Sequence, residues 1–159
     1  MKRRLLLFVG LGLFLVERPA AAQAGSDRES LEVAVARLVR ESLPKGRFAL
    51  LRPREAAQAR TPAHTRALLD AFDGRDVIDA VPESVVRCGD PAGGCHLEGV
   101  DGTISIRVDS VAGDEAEVDV LLERAERSSP RISYVGTTWS ASRVGGVWKI
   151  GAAKWVRRS

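Results

Sequence analysis

The most reactive side chains in this sequence are two cysteines, Cys88 and Cys95, with His96 directly after the second. Thiolate and imidazole both bind metals, but two Cys and one His leave a tetrahedral zinc site one ligand short. Haem attachment takes two residues between its cysteines, and here six intervene. Those six, Gly89-Asp-Pro-Ala-Gly-Gly94, include strong turn formers that can fold the chain back and bring the sulfurs together. In an oxidising compartment that arrangement predicts a Cys88–Cys95 disulfide.

The other candidates lead to quieter chemistry. His64 falls in the first turn of a predicted helix, where a solvated or capping role is expected. His96 abuts the cysteine loop with no nameable acid–base partner, so a structural or solvated role is expected there too. Asp70, Asp73, Asp76 and Asp79 are clustered, yet their spacing does not match a calcium-binding EF-hand loop and reads as solvated charge. The three tryptophans, Trp139, Trp148 and Trp155, read as core packing. A serine-hydrolase elbow, a phosphate-binding glycine loop and a His-Glu-x-x-His helix are all absent. The expectation is therefore no catalytic residue, no metal and no cofactor.

The N-terminus sets the compartment. Lys2, Arg3 and Arg4 precede a 12-residue apolar run over residues 5–16, and Ala20-Ala-Ala-Gln-Ala24 supplies small residues after it. Basic, apolar and small in that order is the pattern of a secretory signal peptide. The apolar run is too short for a membrane span, which needs about 20 such residues, so no stable membrane anchor is expected. Residues 1–24 are read as the signal and residues 25–159 as a single domain, exported to the periplasm or secreted. Residues 1–24 hold Lys2, Arg3, Arg4 and Arg18 against Glu17, so the remainder carries 20 basic and 20 acidic side chains and no formal net charge. The basic balance of the whole chain belongs to the signal, and nucleic acid is not an expected partner.

The elements that would position any site follow from periodicity. Ser26-Asp-Arg-Glu29 fits a capping box ahead of a helix that puts Leu31, Val35, Leu38 and Val39 on one stripe, with Glu32 among the solvated residues. Pro44 and Gly46 end it. Arg47-Phe-Ala-Leu-Leu51 reads as a strand. Thr61-Pro62 opens a second helix with Ala67, Leu68, Ala71 and Phe72 on one face, stopped by Gly74. Residues 76–83 are ambiguous; Val77, Ile78 and Val81 fit a short helical turn closed by Pro82. Residues 84–88 read as a strand into the cysteine loop. Four antiparallel strands follow, over residues 103–109, 115–122, 132–143 and 147–156, joined by Gly113-Asp114, by Ser128-Ser-Pro130 and by Gly145-Gly146. Apolar residues on both faces of the last two strands suggest that the second face is partly covered, by a loop or another subunit. The fold class expected is α+β, with N-terminal helices packed on a curved antiparallel sheet of four or more strands.

A capped helix, a further helix and long antiparallel strands ending in Gly145-Gly-Val-Trp-Lys-Ile150 together resemble the cystatin-like and nuclear-transport-factor-2-like α+β folds. The resemblance implies a curved sheet wrapped around helices. Within it, the chain looks most like exported bacterial proteins with a Cys-loop-Cys step before the sheet. Enzymes of this superfamily place an Asp/His or Asp/Tyr pair in the cone, and the cystatin inhibitors carry a Gln-x-Val-x-Gly loop; neither is matched in this sequence. The functional expectation is an exported, non-enzymatic module that binds a small apolar ligand or a protein partner in the sheet's concavity, or pairs with a second copy through the sheet. The alternative is a small cone-fold enzyme with isomerase- or dehydratase-like acid–base chemistry.

The signal reading predicts cleavage after Ala24. N-terminal sequencing of the exported form should begin at Gly25, whereas a retained Met1 in membrane fractions would rule the signal out.

Overall fold

The computed structural model describes residues 20–55, 59–89, 95–125 and 132–158, with residues 20–24 and Trp155 described by backbone alone. Residues 1–19, which hold most of the expected signal, the middle of the cysteine loop and the Ser128-Ser-Pro130 connection lie outside the described residues.

Helix α1 spans Ala20–Ser42. It does not start at a Ser26 cap: the alanine-rich stretch ahead of Ser26 has high helix propensity and continues the helix backward. Its buried arc is formed by Leu31, Val35 and Val39, widened by Glu32 and Ala36. Leu38, expected in the stripe, is only half-buried at the margin of this arc. The buried row follows i, i+4 steps from Leu31 to Leu43; at 100° per residue Glu32 falls inside it, and Ala36 and Leu38 flank it on opposite margins, of which the Ala36 side is the buried one.

Strand β1 is Arg47–Leu51 and helix α2 is Pro62–Ala71. The Thr61 hydroxyl accepts from the His64 backbone N–H at 3.1 Å, and Pro62 opens the helix as expected. Ala67 is exposed, while His64 takes its place in a buried row with Leu68, Ala71 and Phe72. The stretch expected to turn helically is a strand, β2, Asp76–Ala80. It lies parallel to β1 from Arg47↔Asp76 to Leu51↔Ala80, so pairing with a free strand edge overrides a weak local preference. A short helix α3, Pro82–Val85, leads into the hairpin of β3, Val86–Cys88, and β4, Cys95–Leu97. Cys88 and Cys95 face each other across that hairpin and form the expected disulfide.

The long strands are β5, Gly102–Ala112, β6, Glu115–Ala125, β7, Ile132–Val144, and β8, Val147–Arg158. Gly145 and Gly146 both have positive φ, as the tight turn between β7 and β8 requires. The sheet order is β2-β1-β5-β6-β7-β8. The α+β class holds, but the sheet is mixed: β1 is parallel to both neighbours, and only β5 to β8 form an antiparallel meander.

The two faces of the sheet differ. Phe48 and Leu50 of β1, with Ile104, Ile106 and Val108 of β5 and Val118 and Val120 of β6, pack beneath α1 and α2 in the main core. The alternating residues Ala49 and Leu51 point the other way, into a small second core with Ala80 and Val85. A second cover is present on this side: α3 closes the small core over β1 and β2, and β4 of the disulfide hairpin lies against β6 and β7.

These placements make opposite forecasts for two leucines on one helix. Leu31→Ala, at a fully buried site, should cost about 2–5 kcal/mol of unfolding free energy. Leu38→Ala should cost about 1 kcal/mol or less. Urea titration of the two variants checks the order.

Candidate functional site

The residues singled out in the sequence are dispersed. Asp76 pairs with Arg47 at 3.7 Å, and the Asp79 carboxylate accepts from Arg52 Nε at 2.8 Å. Asp70 and Asp73 are exposed near the end of α2. Asp101 Oδ2 accepts from the Arg47 N–H at 2.8 Å, pressed so close to Gly46 that a Cβ there would collide with it. His96 is exposed on β4. Among the described residues, no group of three or more Cys, His, Asp or Glu is placed to hold a metal ion.

His64 is the exception to its expected role. Its side chain is only 4 % exposed, and Nε2 lies 3.5 Å from Glu32 Oε2, itself on a side chain only 3 % exposed. Glu29 Oε1 stands 3.9 Å from Nδ1. Burial lowers the pKa of His64; the nearby Glu32 and Glu29 carboxylates oppose that shift and Arg60 reinforces it. Arg60 completes the cluster, its Nε donating to Glu32 Oε2 at 2.9 Å. Arg60 Nη1 and Nη2 donate to the carbonyls of Leu51 and Ile106 at 3.1 and 3.0 Å. Glu32 and Arg60 escaped the sequence reading, although a wheel that counts Ala36 as apolar puts Glu32 inside the buried arc. Nothing local marks Arg60, which precedes the α2 cap in a connecting segment.

A cleft of about 630 Å³ opens above this cluster between α1, α2 and the β7–β8 turn, with Glu29, Arg37, His64 and Trp148 in its walls. Trp148 is buried, and the Arg143 guanidinium lies over its ring at 5.4 Å. Trp139 is half-buried against the main core. His64 Nε2 and Trp148 Nε1 have no hydrogen-bond partner, but both atoms are buried away from solvent. Neither of these two nitrogens is therefore available to anything entering the cleft.

The opposite sheet face carries a cleft of another kind, about 470 Å³, beside the region that α3 and the hairpin cover. Strand alternation puts Ser105 and Arg107 of β5, Asp119 and Leu121 of β6, Tyr134, Gly136 and Thr138 of β7 and Arg157 of β8 on this face. Leu121 and the bare backbone at Gly136 give it an apolar floor. Asp119 is held from both sides, accepting from Arg107 Nη2 at 3.0 Å and from the Thr138 hydroxyl at 2.6 Å. The bond to Asp119 raises the pKa of Arg107. Arg157 has no ion pair among the described residues, and Tyr134 is exposed. One fixed hydroxyl, Thr138, one compensated ion pair and one available guanidinium thus converge on adjacent strands, an arrangement suited to binding. Asp119 and Tyr134 both line this cleft, but Asp119 is already engaged by Arg107 and Thr138; His64 lines the other cleft, beside Trp148.

A comparison with known proteins finds no matching family, no matching curated protein and no matching solved structure.

The buried His64 makes a forecast with a definite sign. Its native pKa lies below its ordinary value of 6.5, so the unfolded chain takes up the proton first as pH falls. The contribution of His64 to stability is complete above about pH 6.5 and is lost as pH drops through that value toward the native pKa. Urea midpoints measured from about pH 7.5 to 5.5 should decline for the native sequence and flatten for His64→Gln.

Proposed function

We propose that residues 25–159 form an exported, non-enzymatic binding module, and that its ligand lies in the cleft on the bare sheet face. The observation that carries the reading is the composition of that cleft: an apolar floor at Leu121 and Gly136, with Tyr134 and an uncompensated Arg157 beside it. The ligand class is a small molecule with an apolar body and an anionic end. The body covers Leu121 and Gly136 against Tyr134, and the anion meets Arg157. This refines the expectation of an apolar ligand, because the lining mixes polar and apolar side chains.

Export, to the periplasm or beyond, is supported by the order of residues in the first 24 positions and by the Cys88–Cys95 disulfide. The cystatin-like and nuclear-transport-factor-2-like reading is supported by α1 packed on a meander whose last strand carries Trp148-Lys149-Ile150 straight after the Gly145-Gly146 turn. Register shifts in the β5–β6 and β7–β8 pairings support curvature, since bulges bend the strands that hold them. The parallel pairing of β1 with β2 and β5 stands beside that pattern as an addition.

Gly136→Val tests the site without threatening the fold. A Cβ there meets Leu121 Cδ1 at 3.8 Å and Arg157 Cβ at 4.0 Å, ordinary contact distances, and valine suits a strand. Titration with benzoate or octanoate, and with benzyl alcohol as the uncharged control, should shift the backbone amide resonances of Ser105, Tyr134, Gly136, Thr138 and Arg157 for the carboxylates alone. The response should vanish in Gly136→Val and weaken in Arg157→Ala. Shifts centred on Trp148 and His64, or none at all, would defeat the proposal.

A further inference from the structure

β8 is the last strand of the six-stranded sheet and has no strand partner beyond β7 among the described residues. Twelve residues of backbone, Val147–Arg158, therefore offer an unpaired ladder edge. The strand is mostly exposed, with Val147 at 64 % and Val156 at 52 %. It carries Lys149, Lys154, Arg157 and Arg158 and no acidic residue. Of these cations only Lys154 is neutralised, by Glu117; the other three have no ion pair among the described residues.

We propose that the free edge of β8 receives an extended, acidic segment of a partner protein as an added strand. Main-chain hydrogen bonds give such a strand its affinity, and alternate side chains give it specificity. The charge selects the occupant. A second β8 edge would set cations against cations in an antiparallel pair. The β2 edge of another copy is acidic, but Asp76 and Asp79 are already matched by Arg47 and Arg52. An acidic strand from another protein meets neither obstacle, and Lys149, Arg157 and Arg158 complement it. The β7–β8 register shifts between Thr138 and Trp139 and between Trp139 and Ala141, which divides β8 into two regular stretches. The incoming segment pairs with either stretch, Val147 to Ile150 or Trp155 to Arg158.

Arg157 is shared with the cleft, but the two sites are separable, because Gly136→Val fills the cleft and leaves the β8 edge open. The test adds a blocked peptide of alternating glutamate and valine to the purified protein and follows amide hydrogen exchange along β8. The expected result is slower exchange within residues 147–158, unchanged in Gly136→Val. Affinity should fall roughly fivefold in the double variant Lys149→Glu/Arg158→Glu, which leaves the cleft's Arg157 in place, given the small contribution of each exposed charge pair. An alternating lysine–valine peptide should not bind, and backbone N-methylation of the acidic peptide should abolish its binding. Three outcomes overturn the proposal: no protection of β8, equal binding by the N-methylated peptide, or protection that grows with protein concentration alone and marks a homodimer.

Discussion

The fold turns on one guanidinium. β1 leaves β5 after Leu50↔Ile104, and the carbonyls of Leu51 and Ile106 are left beside the gap without a ladder partner across it. A buried carbonyl without a donor is costly, so the site requires one. Arg60 supplies both donors from the fork of its side chain and uses its third nitrogen on Glu32 of α1. One side chain thereby fixes α1, the end of β1, the middle of β5 and the approach to α2. The arrangement is tight because both charges are 3 % exposed and compensate each other. Loss of Arg60 alone would strand a buried carboxylate, a change in the range of about 3–5 kcal/mol.

A second arginine repeats the device nearer the surface. Arg143 of β7 donates to Asp27 of α1 at 2.7 Å and to Asp114 in the β5–β6 turn at 2.9 Å while lying over Trp148. Asp27 lies within the stretch expected to cap α1, and its role is instead to hold the helix against the far hairpin. His64 belongs to the same logic. Its ring closes the Glu32 cluster from the α2 side, and burial favours its neutral form. The chain's buried ionisable groups therefore serve to lock helices to the sheet.

These contacts lock the helices to one face of the sheet, and the proposed binding site lies on the other. There α3 closes the small core over β1 and β2, the disulfide hairpin lies against β6 and β7, and the rest of the meander stays open. The covering is asymmetric because the sheet is mixed. The parallel corner places β2 where the chain can turn directly into α3 over Ala49 and Leu51, and the hairpin then runs on to lie against β6 and β7. What remains uncovered is the polar side of β5 to β8, where Asp119 is held between Arg107 and Thr138.

The sequence alone determined the elements whose signals are local. The four long strands, the Gly145-Gly146 turn, the Thr61-Pro62 helix start and the Cys88–Cys95 pairing all follow from alternation, turn chemistry or short spacing, which need no distant partner. Tertiary structure decided everything that depends on which surfaces meet. Residues 76–80 became a strand only because β1 offered a free edge, and which margin of the α1 stripe is buried, Ala36 rather than Leu38, is decided by what α1 packs against. Glu32, Arg60 and His64 come from three separate segments and are polar, so hydrophobic periodicity assigned Glu32 and His64 to solvent and left Arg60 unmarked. The open cleft likewise depends on β5, β6, β7 and β8 lying side by side in register. No single strand records that Arg107, Asp119, Thr138 and Arg157 share a face, because a face is a property of the assembled sheet.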